Sequence, residues 1–161
     1  MSEGRYSVAQ ICVNGHSVNA FSDRYPQHNE EFCQQCGSQT ITACEKCNTP
    51  IRGKFIAPGS FSSSLYVAPK FCLNCGHAYP WTQARIRAAS ELADLIEEFN
   101  ETERQQLKES IQNIVQDTPE TLIAAFKFRA LMEKAGPVMK AALWETIAGV
   151  ADKKAEKLIV S

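Results

Sequence analysis

The sequence predicts an α+β protein: two small β ribbons in tandem, then an α-helical bundle or hairpins of about four helices. Three observations predict it. All seven cysteines lie between Cys12 and Cys75, and none follows. The stretch that holds them alternates short β-branched or aromatic runs with turn residues, as short strands do. Beyond Trp81, apolar residues recur at helical spacing. The expected boundaries are residues 1–81 for the ribbon domain, with ribbon one at 6–43 and ribbon two at 44–81, and 82–161 for the helical domain.

The strands are expected at Tyr6–Cys12, Thr40–Ala43, Ile51–Ala57 and Leu65–Ala68, separated by Asn14-Gly15, Pro58-Gly59 and Ser62-Ser63-Ser64. The first helix is expected from Thr82 to Phe99, with Ile86, Ala89, Ala93, Ile96 and Phe99 on one side. Thr102-x-x-Gln105 reads as a capping box that opens the second, which presents Leu107, Ile111 and Ile114. Thr118-Pro119 supplies a cap and a first-turn proline for the third, with Leu122, Ile123, Phe126 and Leu131 toward the core. Gly136-Pro137 ends it and starts a fourth that runs to Val160.

The chain of 161 residues is 44% apolar and 22% charged, a globular mix, with net charge −1. Six Lys/Arg stand against five Asp/Glu before Trp81, and 11 against 13 after it. A dedicated DNA binder carries a basic excess because phosphate neutralisation drives its affinity, and that excess is missing here. No run of about 18 apolar residues suggests a membrane span, and Met1–Val8 lacks the pattern of a secretion signal. A cytoplasmic protein is expected. In a reducing compartment, an odd number of cysteines argues for metal rather than disulfides.

The cysteines come in pairs. Cys12-x3-His16 is followed after sixteen residues by Cys33-x2-Cys36, after seven by Cys44-x2-Cys47, and after twenty-four by Cys72-x2-Cys75. A closed zinc site takes four tetrahedral thiolate or imidazole ligands. Two such sites need eight, and seven cysteines plus His16 supply them with none left over. The preferred topology is sequential: Cys12, His16, Cys33 and Cys36 hold one Zn2+, and Cys44, Cys47, Cys72 and Cys75 hold the other. A cross-brace, in which the first and third pairs share an ion, is the competing topology; the spacings do not match its RING-type form. Iron is the minor alternative in the all-thiolate set. His77, two residues past Cys75, is read as a solvent-facing or supporting residue, and His28 as part of a solvated loop.

The run Tyr6-Ser-Val-Ala-Gln-Ile-Cys12-Val-Asn-Gly-His16, the segment Cys47-Asn-Thr-Pro-Ile-Arg-Gly53 and Cys72-Leu-Asn-Cys75-Gly-His-Ala-Tyr-Pro80-Trp81-Thr resemble a family of uncharacterised bacterial double zinc-ribbon proteins. The similarity extends from about Tyr6 to about Leu158. It implies a bacterial, cytoplasmic, zinc-binding protein and no particular activity.

Three function classes follow. The first is an interaction or scaffolding protein with structural zinc, whose partner is a protein and whose helical domain is a site for homo-oligomers. A long hairpin between Cys47 and Cys72 would present Arg52, Lys54 and Lys70 among aromatics; Phe61 and Tyr66 are the exposed candidates, while Phe55 and Phe71 are expected to be buried. The alternative is nucleic-acid binding through the same cations and aromatics. An enzyme has least support, because no nucleophile–base set, phosphate-cradling loop or open metal position is found.

Overall fold

The protein is described by a computed structural model that covers residues 3–60 and 63–161. Phe61, one of the expected partner-facing aromatics, lies outside the described residues. The chain divides into two compact units, Met1–Gln83 and Ala84–Ser161. No helix among the described residues is long and apolar enough to cross a membrane.

Short strands carry the first unit: β1 (Arg5–Val8), β2 (Gln10–Cys12), β3 (Ser17–Asn19), β4 (Thr40–Ile41) and β5 (Arg52–Ile56). One sheet has the order β3-β2-β4; the other pairs β1 with β5 antiparallel. This corrects the tandem arrangement. The first strand joins the segment after Cys47, so the two ribbons share a sheet and are not separate beads. It also corrects the long hairpin: residues 65–68 form no strand, Leu65 is 92% exposed, and β5 has β1 as its partner.

The unit buries few apolar side chains, chiefly Ile11, Ile51, Tyr79 and Trp81. Polar side chains tie its loops instead. Gln10 donates to the Glu30 carbonyl and accepts from the Glu30 amide. Asn19 donates to Tyr25 and Asn29, and the Ser22 hydroxyl donates to the Val8 carbonyl. Each bond satisfies a group that would be costly to bury alone.

The helices are α1 (Pro80–Asp94), α2 (Glu101–Ile114), α3 (Thr121–Ala135), α4 (Pro137–Ile147) and α5 (Lys153–Val160). Among the described residues five helices replace the expected four, because the last one breaks. Residues 148–152 turn, and the Asp152 side chain accepts from Lys154 N to cap α5. The first helix stops at Asp94, and a tight turn still buries Ile96 and Phe99. The capping box is Asn100-x-x-Glu103, two residues before the expected one, with both reciprocal bonds present. Glu103 also pairs with Lys134 of α3 at 2.6 Å.

The third helix starts at Thr121, later than Thr118-Pro119 suggests, and turns an unexpected face inward. Ala124, Ala125, Phe128 and Met132 are buried, while Leu122, Ile123 and Phe126 are 48–60% exposed. Apolar residues fall on both faces of the helix, so spacing alone selects no face.

Candidate metal centres

Three turns of one design position six of the sulfurs. In each, the first cysteine's amide donates to the carbonyl two positions after the second cysteine: Cys33 N to Ser38 O, Cys44 N to Thr49 O and Cys72 N to His77 O, at 2.8–2.9 Å. The residue after the second cysteine donates to the first cysteine's carbonyl, from Gly37, Asn48 and Gly76. Those three residues have φ of +71°, +59° and +71°, the left-handed region that glycine and then asparagine tolerate best. A lone bridge closes the base of each turn: Phe32 to Gln39, Ala43 to Pro50 and Phe71 to Ala78.

The fourth turn is a variant. Gly15 N donates to Cys12 O, and Cys12 N to His16 O, which brings the imidazole back beside the thiol. Gly15 sits at φ +92°, and a Cβ there would stand 3.0 Å from Trp81 Cβ, so both backbone and neighbour require glycine. Pairing of Cys12 with Thr40 in the β2–β4 ladder then sets this turn against the Cys33–Cys36 turn.

Two groups of four donors result. Cys12, His16, Cys33 and Cys36 form one; Cys44, Cys47, Cys72 and Cys75 form the other, and within each group the ligand atoms all lie within 4.8 Å of one another. Each group could hold a metal ion. Each draws on two pairs adjacent in the sequence; the first and third pairs do not share a group. The Cys12–Cys36 and Cys44–Cys75 sulfurs are 3.8 Å apart, and Cys47–Cys72 is 3.6 Å. His16 turns Nδ1 inward, 3.4 Å from Cys12 Sγ and 3.6 Å from Cys33 Sγ.

The thiols are not electrostatically equivalent. Hydrogen bonds from Asn14 and from Ser38 pull Cys36 down to about 5, and Thr49 does the same for Cys47, also to about 5. Backbone amides of Cys75 and Asn74 lower Cys72. In contrast, burial raises Cys12. Cys75 is pushed up to about 11 despite a backbone bond at His77, because burial and the neighbouring thiols Cys47, Cys72 and Cys44 oppose its ionisation. Crowded thiols cannot all lose protons by themselves, since like charges disfavour one another. A divalent cation reverses that balance by deprotonating its ligands.

Asn14, Ser38 and Thr49 were not expected at the site. Asn14 Nδ2 donates to Cys36 Sγ at 3.4 Å and to Ser38 Oγ at 2.9 Å; Thr49 Oγ1 is 3.2 Å from Cys47 Sγ. Their only signal in the sequence is a place two residues from a cysteine. His77 is outside both groups, and its Nε2 lies 3.1 Å from Gln83 Nε2. His28 belongs to neither group and ends a short 3-10 turn, Pro26–His28.

The remaining candidates are spread along β5 and the loop after it. Tyr66 is half-buried, and its hydroxyl donates to Arg52 O at 2.6 Å, so it is tied back rather than presented. Burial raises its phenol above the ordinary value. Arg52 is exposed and its guanidinium lies 4.3 Å above the Tyr6 ring. Lys54 and Lys70 are half-buried. Phe55, expected inside, is 49% exposed and meets Tyr6 edge to face. Phe71 is half-buried beside Cys72.

No curated protein and no solved structure matches the chain. One family model matches residues 5–159, nearly the whole length, and its description is an uncharacterized protein conserved in bacteria. The chain therefore belongs to that bacterial family, DUF2321.

Proposed function

We propose that this chain is a zinc-binding interaction or scaffolding protein of the bacterial cytoplasm, with two structural zinc ions in residues 1–81 and a helical domain at 82–161. The observation that carries the reading is metrical. Tetrahedral zinc with Zn–S bonds of about 2.3 Å and Zn–N of about 2.0 Å sets sulfurs about 3.8 Å apart and sulfur and nitrogen about 3.5 Å apart. Three sulfur–sulfur separations of 3.6–3.8 Å and two of 3.4–3.6 Å from sulfur to His16 Nδ1 match those edges, and the other donor pairs lie within 4.8 Å. They are far from the disulfide length of about 2.05 Å. Four protein donors fill a tetrahedron and leave no position for substrate, which favours a structural ion over a catalytic one.

Elemental analysis of the purified protein tests this: two equivalents of zinc per chain are expected. One zinc and one iron would place iron in the all-thiolate group. Neither metal in stoichiometric amount would reject the reading. For the partner, the surface we favour on the first unit is β5, through Arg52 and Lys54, with Lys70 a further candidate.

Nucleic-acid binding is the second reading, and one observation favours it: Tyr6, Phe55 and Arg52 form an exposed aromatic–cation cluster on β1 and β5. Bases stack on such platforms. The near-neutral charge weighs against it. A mobility shift with single-stranded DNA or RNA that fades steeply with salt would support it, and no shift at low salt would remove it.

A further inference from the structure

α3 leaves one of its apolar faces in water. Leu122, Ile123 and Phe126 are 48%, 59% and 60% exposed, and Pro119 and Ala130 continue the same stripe. Single exposed apolar residues are ordinary, but a contiguous stripe along a helix marks a contact surface. The charges beside the stripe indicate what covers it. Glu120 and Lys127 are both exposed. Among the described residues neither joins an ion pair. Glu120 already has helical backbone angles, with φ −78° and ψ −16°. Seven residues make nearly two full turns, so the two charges lie on one flank of the helix, about 10 Å apart along its axis.

We propose that the chain self-associates by packing α3 antiparallel against α3 of a second copy. In an antiparallel pair, each flank meets the same flank of its mate. A twofold axis midway between Glu120 and Lys127 then brings each Glu120 opposite the second copy's Lys127, twice over. The same axis passes beside Ile123, which meets its own copy, and seats Phe126 over Leu122 and Pro119 of the mate. A parallel pair would instead bring opposite flanks together and leave Glu120 and Lys127 without each other as partners. The surface is thus self-complementary in apolar contact and in charge, the requirement for a twofold dimer. This deepens the reading of the chain as an interaction protein and is independent of its metal content.

The test is sedimentation equilibrium of the full, zinc-loaded chain, with metal measured on the same sample so that the two readings fail separately. A concentration-dependent species of twice the 17.9 kDa chain mass is expected. Phe126→Glu removes the central apolar contact from an exposed position and should weaken the dimer about 30-fold or more, with unchanged helical circular dichroism. Glu120→Lys or Lys127→Glu alone should each weaken it about three- to tenfold. The double exchange should restore it to within about twofold of the original. A chain that stays monomeric at its highest soluble concentration would overturn the proposal. So would a dimer indifferent to Phe126→Glu, or two charge reversals that fail to rescue each other.

Discussion

Met1–Gln83 buries four cysteines and, among the described residues, only five other apolar side chains: Ala9, Ile11, Ile51, Tyr79 and Trp81. Ala84–Ser161, of similar length, buries seventeen, including Leu107, Ile111, Phe128, Leu143 and Ile147. A small core seldom offsets the entropy of ordering its chain, so the first unit needs another source of free energy. Each donor group contains two of those four buried cysteines. The second unit uses an ordinary hydrophobic interior, for which burial contributes about 25 cal/mol per Å² of apolar surface. On the proposed reading metal supplies what the first unit's core lacks, so conditions that attack one unit should spare the other.

Metal removal gives the largest contrast. Apparent binding of about 10–16 kcal/mol per structural zinc would be a large share of what holds a unit with so few buried side chains. A strong chelator should release both ions and unfold the strands, seen as amide-exchange protection lost at Ile11 and Ile51. Protection at Ile111 and Phe128 should persist. Loss in both units together would break the comparison.

The converse is a core truncation. Phe128 is 0% exposed, and Phe128→Ala should cost about 3–5 kcal/mol of helical-unit stability while both metals stay bound, as denaturant melts combined with metal analysis would show. Gly15→Ala comes next. A side chain at φ +92° against Trp81 should cost about 1–2 kcal/mol of first-unit stability and change Trp81 fluorescence, leaving the helical melt unaltered. Asn100→Ala, which removes the α2 cap, should cost about 1 kcal/mol, confined to the helical unit.

The smallest effect is on reactivity. In the interval after chelation and before the strands unfold, the turns hold Cys36 and Cys47 down at about 5 and Cys75 up at about 11, so the first two should ionise most readily. Only the thiolate attacks an alkylating reagent. Mass mapping after brief alkylation should find Cys36 and Cys47 modified first and Cys75 last. The linked stability has a definite sign: a thiol lowered from 9.0 favours the folded form fully above pH 9, and the contribution disappears as pH falls through about 5. Asn14→Ala should slow Cys36 alone.

The two units also differ in how far the sequence reveals them. Donor residues are chemically distinctive and act within short turns, so the spacing of cysteines and His16 favours the grouping seen while leaving a cross-brace as its competitor. The sheet is less legible. β1 pairs with β5 across more than forty residues, and no local pattern in Arg5–Val8 names a partner so far away. In the helical unit, Ile111 and Ile114 on α2 are inward as their spacing suggests, because the opposite face is polar. α3 has apolar residues on both faces, so Leu122, Ile123 and Phe126 look equally suited to the interior. The break before α5 does have a local signal, Gly149 followed by Asp152, a turn residue and then a cap. Asn14, Ser38 and Thr49 could not be ranked as thiol partners, because a hydrogen bond to sulfur depends on where the turn aims the side chain.

X-ray absorption at the zinc edge tests the central claim most directly. One group offers three sulfurs and a nitrogen and the other four sulfurs, so the average shell should hold 3.5 sulfurs and 0.5 nitrogen per zinc. The bonds should be about 2.3 Å to sulfur and about 2.0 Å to nitrogen. A shell dominated by oxygen and nitrogen, or protein that carries no zinc and has its cysteines joined in disulfides, would contradict the account.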